Sequence, residues 1–192
     1  MGQMDKKLDD YLTGQLLVAM PGLQDPRFSE TVIYLCAHSA EGAMGLVINR
    51  KLEALTFPDL LEQLGIKPLD IGERIVIHFG GPVEAGRGFV LHSADYTQET
   101  TLQVDQEVAL TATVDILKDM AGGAGPNRSL LALGYSGWGP GQLDSEIKAN
   151  GWLHVAPDND LVFGSDLDGK WLRAMDKIGI DPRMLSEDAG HA

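Results

Sequence analysis

The chain has 192 residues, 44% hydrophobic and 22% charged, which suits one folded domain with a real core and argues against global disorder. Fifteen Lys and Arg stand against 28 Asp and Glu, a formal net charge of −13; such a surface repels phosphate backbones and anionic membranes. The single cysteine, Cys36, excludes an internal disulfide and a cysteine-based zinc site, and no apolar run approaches the roughly 20 residues that span a bilayer.

Met1 to Thr13 is polar and charged, without the apolar stretch of a secretory signal. The expectation is a cytoplasmic protein with no membrane attachment, in which a single domain over residues 13–182 lies between loose ends at 1–12 and 183–192. The first strand is predicted at Leu16 to Ala19, stopped by Met20-Pro21-Gly22. A second runs from Thr31 to Ala37, rich in β-branched and aromatic residues, and a third from Gly45 to Ile48 after the turn residues Glu41-Gly42. Thr56 is placed to cap a helix carrying Leu60, Leu61 and Leu64 and closed by Gly65.

Further strands are predicted from Arg74 to Phe79, ending in Gly80-Gly81-Pro82, from Gly88 to His92, and from Leu130 to Leu133. Helices are predicted from about Thr113 to Ala121, stopped by Gly122-Gly123, and after Gly139-Pro140, carrying Leu143 and Ile147. In the last helix Ser165 and Asp168 have capping-box spacing, with Leu167, Trp171, Ala174, Met175 and Ile178 as the apolar stripe and Gly179 as the stop. The strand runs are continuously apolar rather than alternating, which predicts a sheet covered on both faces. Short turns between the first strands favour antiparallel pairing there. The elements together define an α+β domain with a mixed sheet and helices packed on its faces.

The densest motif is Gly134-Tyr-Ser-Gly-Trp-Gly-Pro-Gly141, read as a turn between a strand and a helix. It is a poor phosphate loop: Pro140 removes a donor, Asp144 and Glu146 already meet the positive end of the following helix, and no Lys follows the last Gly. Ser136 lacks the second glycine of a nucleophile elbow, because position 138 is Trp. The favoured role is a tight turn that seats Trp138 in the core. A second motif, His78 to Glu84 and on to His92, offers Arg87 as an anion anchor and His92 as an acid or base, against the plainer reading of a satisfied strand histidine. The five histidines form no ligand pairs, so no metal or cofactor is expected. Cys36, inside an apolar strand, reads as a buried, unreactive thiol. Lys170, Arg173 and Lys177 form a basic stripe on the last helix, interleaved with aspartates and expected to be a solvated face.

Four stretches together resemble the AlgH-like (YqgE-like) family of bacterial proteins: Gly14 to Pro21, Gly45 to Arg50, Gly80 to Val83 with Arg87 to His92, and Gly134 to Ile147. The resemblance implies one α+β domain built on an extended, partly coiled mixed sheet. The family carries a label of transcriptional regulation and transfers no catalytic residues. The net charge, the absence of a helix-turn-helix signal and the lack of a concentrated basic face disfavour direct nucleic-acid binding. The expected function is a regulatory module that binds a small ligand or a protein, with Asn49, Gly80, Gly81, Arg87, His92, Ser136, Trp138, Gln142 and Glu146 as candidate contacts. The alternative is an enzyme using a pocket near Arg87, His92 and Glu146.

Overall fold

A computed structural model describes residues 11–23, 25–67 and 75–184. The described residues form nine strands: β1 (Leu16–Ala19), β2 (Val32–Ser39), β3 (Gly42–Val47), β4 (Ile77–Phe79), β5 (Val83–Ser93), β6 (Leu102–Gln103), β7 (Val108–Thr111), β8 (Ser129–Trp138) and β9 (Trp152–Val155). Five helices accompany them: α1 (Phe57–Gln63), α2 (Val114–Ala121), α3 (Gln142–Lys148), α4 (Asn159–Phe163) and α5 (Lys170–Lys177). The strands make one curled sheet in the order β6-β7-β5-β8-β3-β2-β1-β9, with β4 paired to β8 beside that path. Every pairing is antiparallel except β4 with β8, so the sheet is mixed, as the α+β reading requires.

Both faces of the sheet are buried, which explains the unbroken apolar runs. Along β1, Leu16 and Val18 enter one cluster with Trp171, Ala174 and Met175 of α5, while Leu17 and Ala19 enter another beneath Leu143 of α3. β8 does the same: Leu130 and Ala132 face the α5 side, whereas Leu131 and Leu133 pack beneath Phe57 and Leu61 of α1 and Ile116 and Met120 of α2. The predicted Thr56 cap is present; its hydroxyl accepts from Asp59 N, and the Asp59 carboxylate accepts in return from Thr56 N.

Three expectations need correction. Gly134 to Trp138 is strand rather than turn, because Ser136, Gly137 and Trp138 pair with Gly45, Met44 and Ala43 of β3; only Gly139 to Gly141 turns. The last helix starts at Lys170, not after Ser165: the Asp166 carboxylate accepts from Gly169 N and holds a separate turn ahead of it. Lys170 is not on a solvated face. Side chains lean toward a helix's N-terminus, and from the first turn of α5 this one folds back into the core, fully buried, where Nζ donates to Ile48 O (3.1 Å) and Val162 O (2.9 Å). Burial, with the Arg173 charge adding to it, lowers its pKa to about 8. Strands β6, β7 and β9 and helix α4 are additional to the expected elements. The proposed loose ends lie outside the described residues up to Asp10 and from Leu185, as does Arg74, the expected start of β4. Tyr11 and Leu12 are tied to His38, whose Nδ1 accepts from Leu12 N and whose ring meets Tyr11 edge to face.

β8 is the strand that joins the two halves of the sheet. Its first half lies between β5 and β4; its second half pairs with β3. β4 is a wedge between β8 and the chain that continues from β3, to which it is tied by Phe79 N to Arg50 O and Leu52 N to Ile77 O. It leaves the sheet at Gly80-Gly81, where the backbones come into contact. A Cβ on Gly81 would collide with the Tyr135 carbonyl, and one on Gly134 with the Gly81 carbonyl oxygen. Gly134 also has φ +75°, a region where an L side chain is strained. Gly134→Ala is therefore expected to cost about 3 kcal/mol or more, combining backbone strain with a collision that no side-chain rotation relieves. Thermal unfolding of the variant against wild type measures it.

Candidate functional site

The second half of β8 and the helix after it, α3, carry four of the nine proposed contacts, Ser136, Trp138, Gln142 and Glu146, and these prove to be tethers. Trp138 is buried, 7% exposed, and its indole meets that of Trp152 edge to face at 6.0 Å. Glu146 Oε1 accepts from both indoles, 3.3 Å from Trp138 Nε1 and 3.0 Å from Trp152 Nε1, while its Oε2 accepts from Gln142 Nε2 at 3.0 Å. Gln142 in turn accepts from Gly139 N (2.9 Å). One carboxylate thus ties α3 to β8 and β9. Ser136 is buried and donates to Gly80 O at 3.2 Å. Its hydroxyl does bond to backbone, but to a carbonyl from a distant part of the chain rather than its own.

His92 is fully buried; one ring nitrogen contacts Thr111 Oγ1 at 2.7 Å and the other Ser93 O at 2.8 Å. Burial lowers its pKa, against the opposing effects of the Ser93 carbonyl and Asp95. This is the satisfied strand histidine. Asn49 is likewise committed, accepting from Val32 N and donating to Glu30 O, both at 2.9 Å. The neighbouring Arg50, not among the proposed contacts, donates to the carbonyls of Pro26, Arg27 and Ser29 and gathers that loop. Cys36 is buried, and burial pushes its thiol up to about 12. Among the described residues no group of three His, Cys, Asp or Glu is placed to hold a metal ion, and no helix is long and apolar enough to cross a membrane.

Arg87 remains exposed. It lies on the bulge between Val83 and Gly88, where β5 slips register against β8, with its guanidinium 3.5 Å from Glu84 and 5.1 Å from the centre of the Phe89 ring. Beside it opens a shallow hollow of about 610 Å³, walled by the β2–β3 hairpin, the β5 bulge and the end of β8. Met44, Phe89, Tyr135 and Trp138 supply apolar surface; Glu41, Glu84 and Arg87 supply charge. Phe89 and Tyr135 meet edge to face at 5.7 Å. The two motif segments thus converge on one face, yet of the nine proposed contacts only Arg87 and Trp138 line the hollow. Arg87, His92 and Glu146 do not share it, since His92 is sealed against Thr111 and Glu146 is held by the indoles. Met44, Phe89 and Tyr135 were missed because apolar strand residues look alike in sequence whether they face a core or a hollow.

These features define a single curled-sheet α+β domain with helices on both faces. A family model described as AlgH-like matches residues 16–183, and the chain belongs to that family. It is 59% identical over 187 residues to a UPF0301 protein of Rhodospirillum rubrum, covering 97% of each chain. With a UPF0301 protein of Bradyrhizobium diazoefficiens it shares 57% over 190 residues, covering 95% of this chain and 89% of that one. Among solved structures, the AlgH protein of Pseudomonas aeruginosa aligns with a TM-score of 0.79 at 40% identity, over 95% of this chain and 97% of the other. A Corynebacterium diphtheriae protein aligns with a TM-score of 0.66 at 16% identity, over 83% and 85%, and shares the fold alone.

The Glu146 tether makes a direct prediction. Glu146→Ala strands two buried indole N–H donors, at a cost of about 1–3 kcal/mol each. The variant is expected to lose about 2–6 kcal/mol in denaturant unfolding and to change tryptophan emission, while Glu146→Gln, which keeps one acceptor oxygen, loses less.

Proposed function

We propose that the protein is a regulatory binding module that works through a protein partner at the hollow beside Arg87, and that any effect on transcription is indirect. The observation that carries this reading is the convergence of the β5 bulge and the end of β8 on one concave face with partly exposed apolar side chains. Apolar surface at the centre with charge around it is the usual anatomy of a contact patch. Glu84 and Arg87 engage each other, which leaves Glu41 as the charge available to a partner. The fitting partner presents an apolar or aromatic side chain flanked by basic residues, and the net charge of −13 favours its approach. The same charge opposes direct contact with a phosphate backbone.

The test is complementation of a strain that lacks the protein. Val83 lines the hollow and is exposed, so Val83→Glu places a charge there with little demand on the core. The transcript profile of the deletion strain is expected to be restored by wild type and by a distant surface change, Lys148→Glu, and not by Val83→Glu at equal protein level. Restoration by all three, or no transcript change on deletion, contradicts the proposal.

A further inference from the structure

A more enclosed cavity of about 300 Å³ lies between β4, the start of β8 and the turn that joins α4 to α5. Its size is at the lower end of small-molecule sites. Lys51 and His78 face each other across an isolated antiparallel bridge, which puts their side chains on the same face of the sheet, and both line this cavity. The walls include Leu130 and Phe163, which share one face of the sheet, and Ser129 and Ser165 add hydroxyls. No carboxylate is in the lining, although the chain carries 28 acidic residues and the hollow beside Arg87 has two.

His78 is 93% buried, its relative exposure being 7%, and its tautomer follows from its contacts. Nδ1 lies 2.9 Å from Leu131 O. A carbonyl oxygen only accepts, so Nδ1 carries the proton. Burial, opposed by the Leu131 and Val76 carbonyls and assisted by the Lys170 charge, lowers the ring's pKa to about 4, so the imidazole is neutral in ordinary buffer. Nε2 is then a pure acceptor, and among the described residues no hydrogen-bond donor meets it. The ring lines the cavity, so an acceptor that no protein donor meets is open to a ligand there. Two cations set the charge of the site. Lys51 is exposed and forms no ion pair among the described residues, and Lys170 stands behind the wall, bonded to Ile48 O and Val162 O.

We infer that this cavity binds a small organic acid carrying a hydroxyl group: the carboxylate pairs with Lys51, the hydroxyl donates to His78 Nε2, and the apolar body packs against Leu130 and Phe163. The site is independent of the hollow beside Arg87 and involves none of its residues.

The experiment uses the full chain with ¹⁵N-labelled histidine and a panel of hydroxy acids: lactate, 3-hydroxybutyrate, mandelate and 4-hydroxybenzoate. Each is paired with the acid that lacks the hydroxyl: propionate, butyrate, phenylacetate and benzoate. At least one hydroxy acid is expected to shift the His78 Nε2 resonance saturably, and to bind about tenfold more tightly than its partner acid. Lys51→Met is expected to weaken that binding about tenfold. His78→Asn retains an amide donor for Leu131 O, with thermal unfolding as the check on folding, and is expected to abolish the preference for the hydroxylated acid. The inference is overturned if no panel member produces a saturable response, if binding leaves Nε2 unmoved, or if Lys51→Met binds as wild type does. If His78→Asn fails to fold, the Nε2 shift and the Lys51→Met result decide.

Discussion

Backbone against backbone, with no room for a side chain, is the contact on which the fold depends. β4 ends at Gly80-Gly81 directly over Gly134 and Tyr135 of β8. The Gly80 carbonyl is the shared acceptor at that point, receiving Val47 N (2.9 Å) from β3 and the Ser136 hydroxyl from β8, while Gly80 N donates to Leu133 O (2.9 Å). Three strands are thus joined where β8 exchanges one partner for another. Without this contact, the half-sheet of β5, β6 and β7 and that of β1, β2, β3 and β9 would have only separate ends of β8 in common. The glycines are needed for close approach, and at Gly134 for the sign of φ as well, rather than for flexibility.

This constraint explains why the fold was more legible than the site. Leu16 to Ala19 and Leu130 to Leu133 read as strands because burial on both faces leaves unbroken apolar runs. The Thr56 helix read correctly because its cap is local. Failures occurred where a distant partner decided the outcome. Gly134 to Trp138 looks like a turn in isolation and becomes a strand because β3 lies beside it. Ser165 has capping spacing, but the chain there forms a separate turn in which Asp166 accepts from Gly169 N, and the helix begins only at Lys170. Lys170 looks like a surface cation and is buried because two carbonyls, one of them 122 positions away, accept its protons. No local pattern contains that information.

The same logic sorts the polar residues of the motifs. Ser136, His92, Asn49, Gln142 and Glu146 invite chemical readings, yet each is occupied in holding one piece of chain against another. Buried polar groups must be satisfied, and a curled sheet with a strand that changes partners has many to satisfy. The groups left for recognition are those with something still unmet: apolar side chains at the mouth of the hollow, and the Nε2 acceptor of His78. The latter could not be seen in sequence, because its tautomer is set by Leu131, 53 residues away.

The central claim, that the crossing at Gly80 and Gly134 holds the two half-sheets together, is tested most directly by native-state amide hydrogen exchange. The amides of Val47, Phe79 and Gly80 are expected to exchange only through global unfolding, with a protection free energy equal to that of denaturant unfolding, while the edge strand β6 exchanges through local opening. If Val47 and Gly80 exchanged as readily as Leu102 and Gln103, the crossing would be a peripheral feature and the account would be wrong.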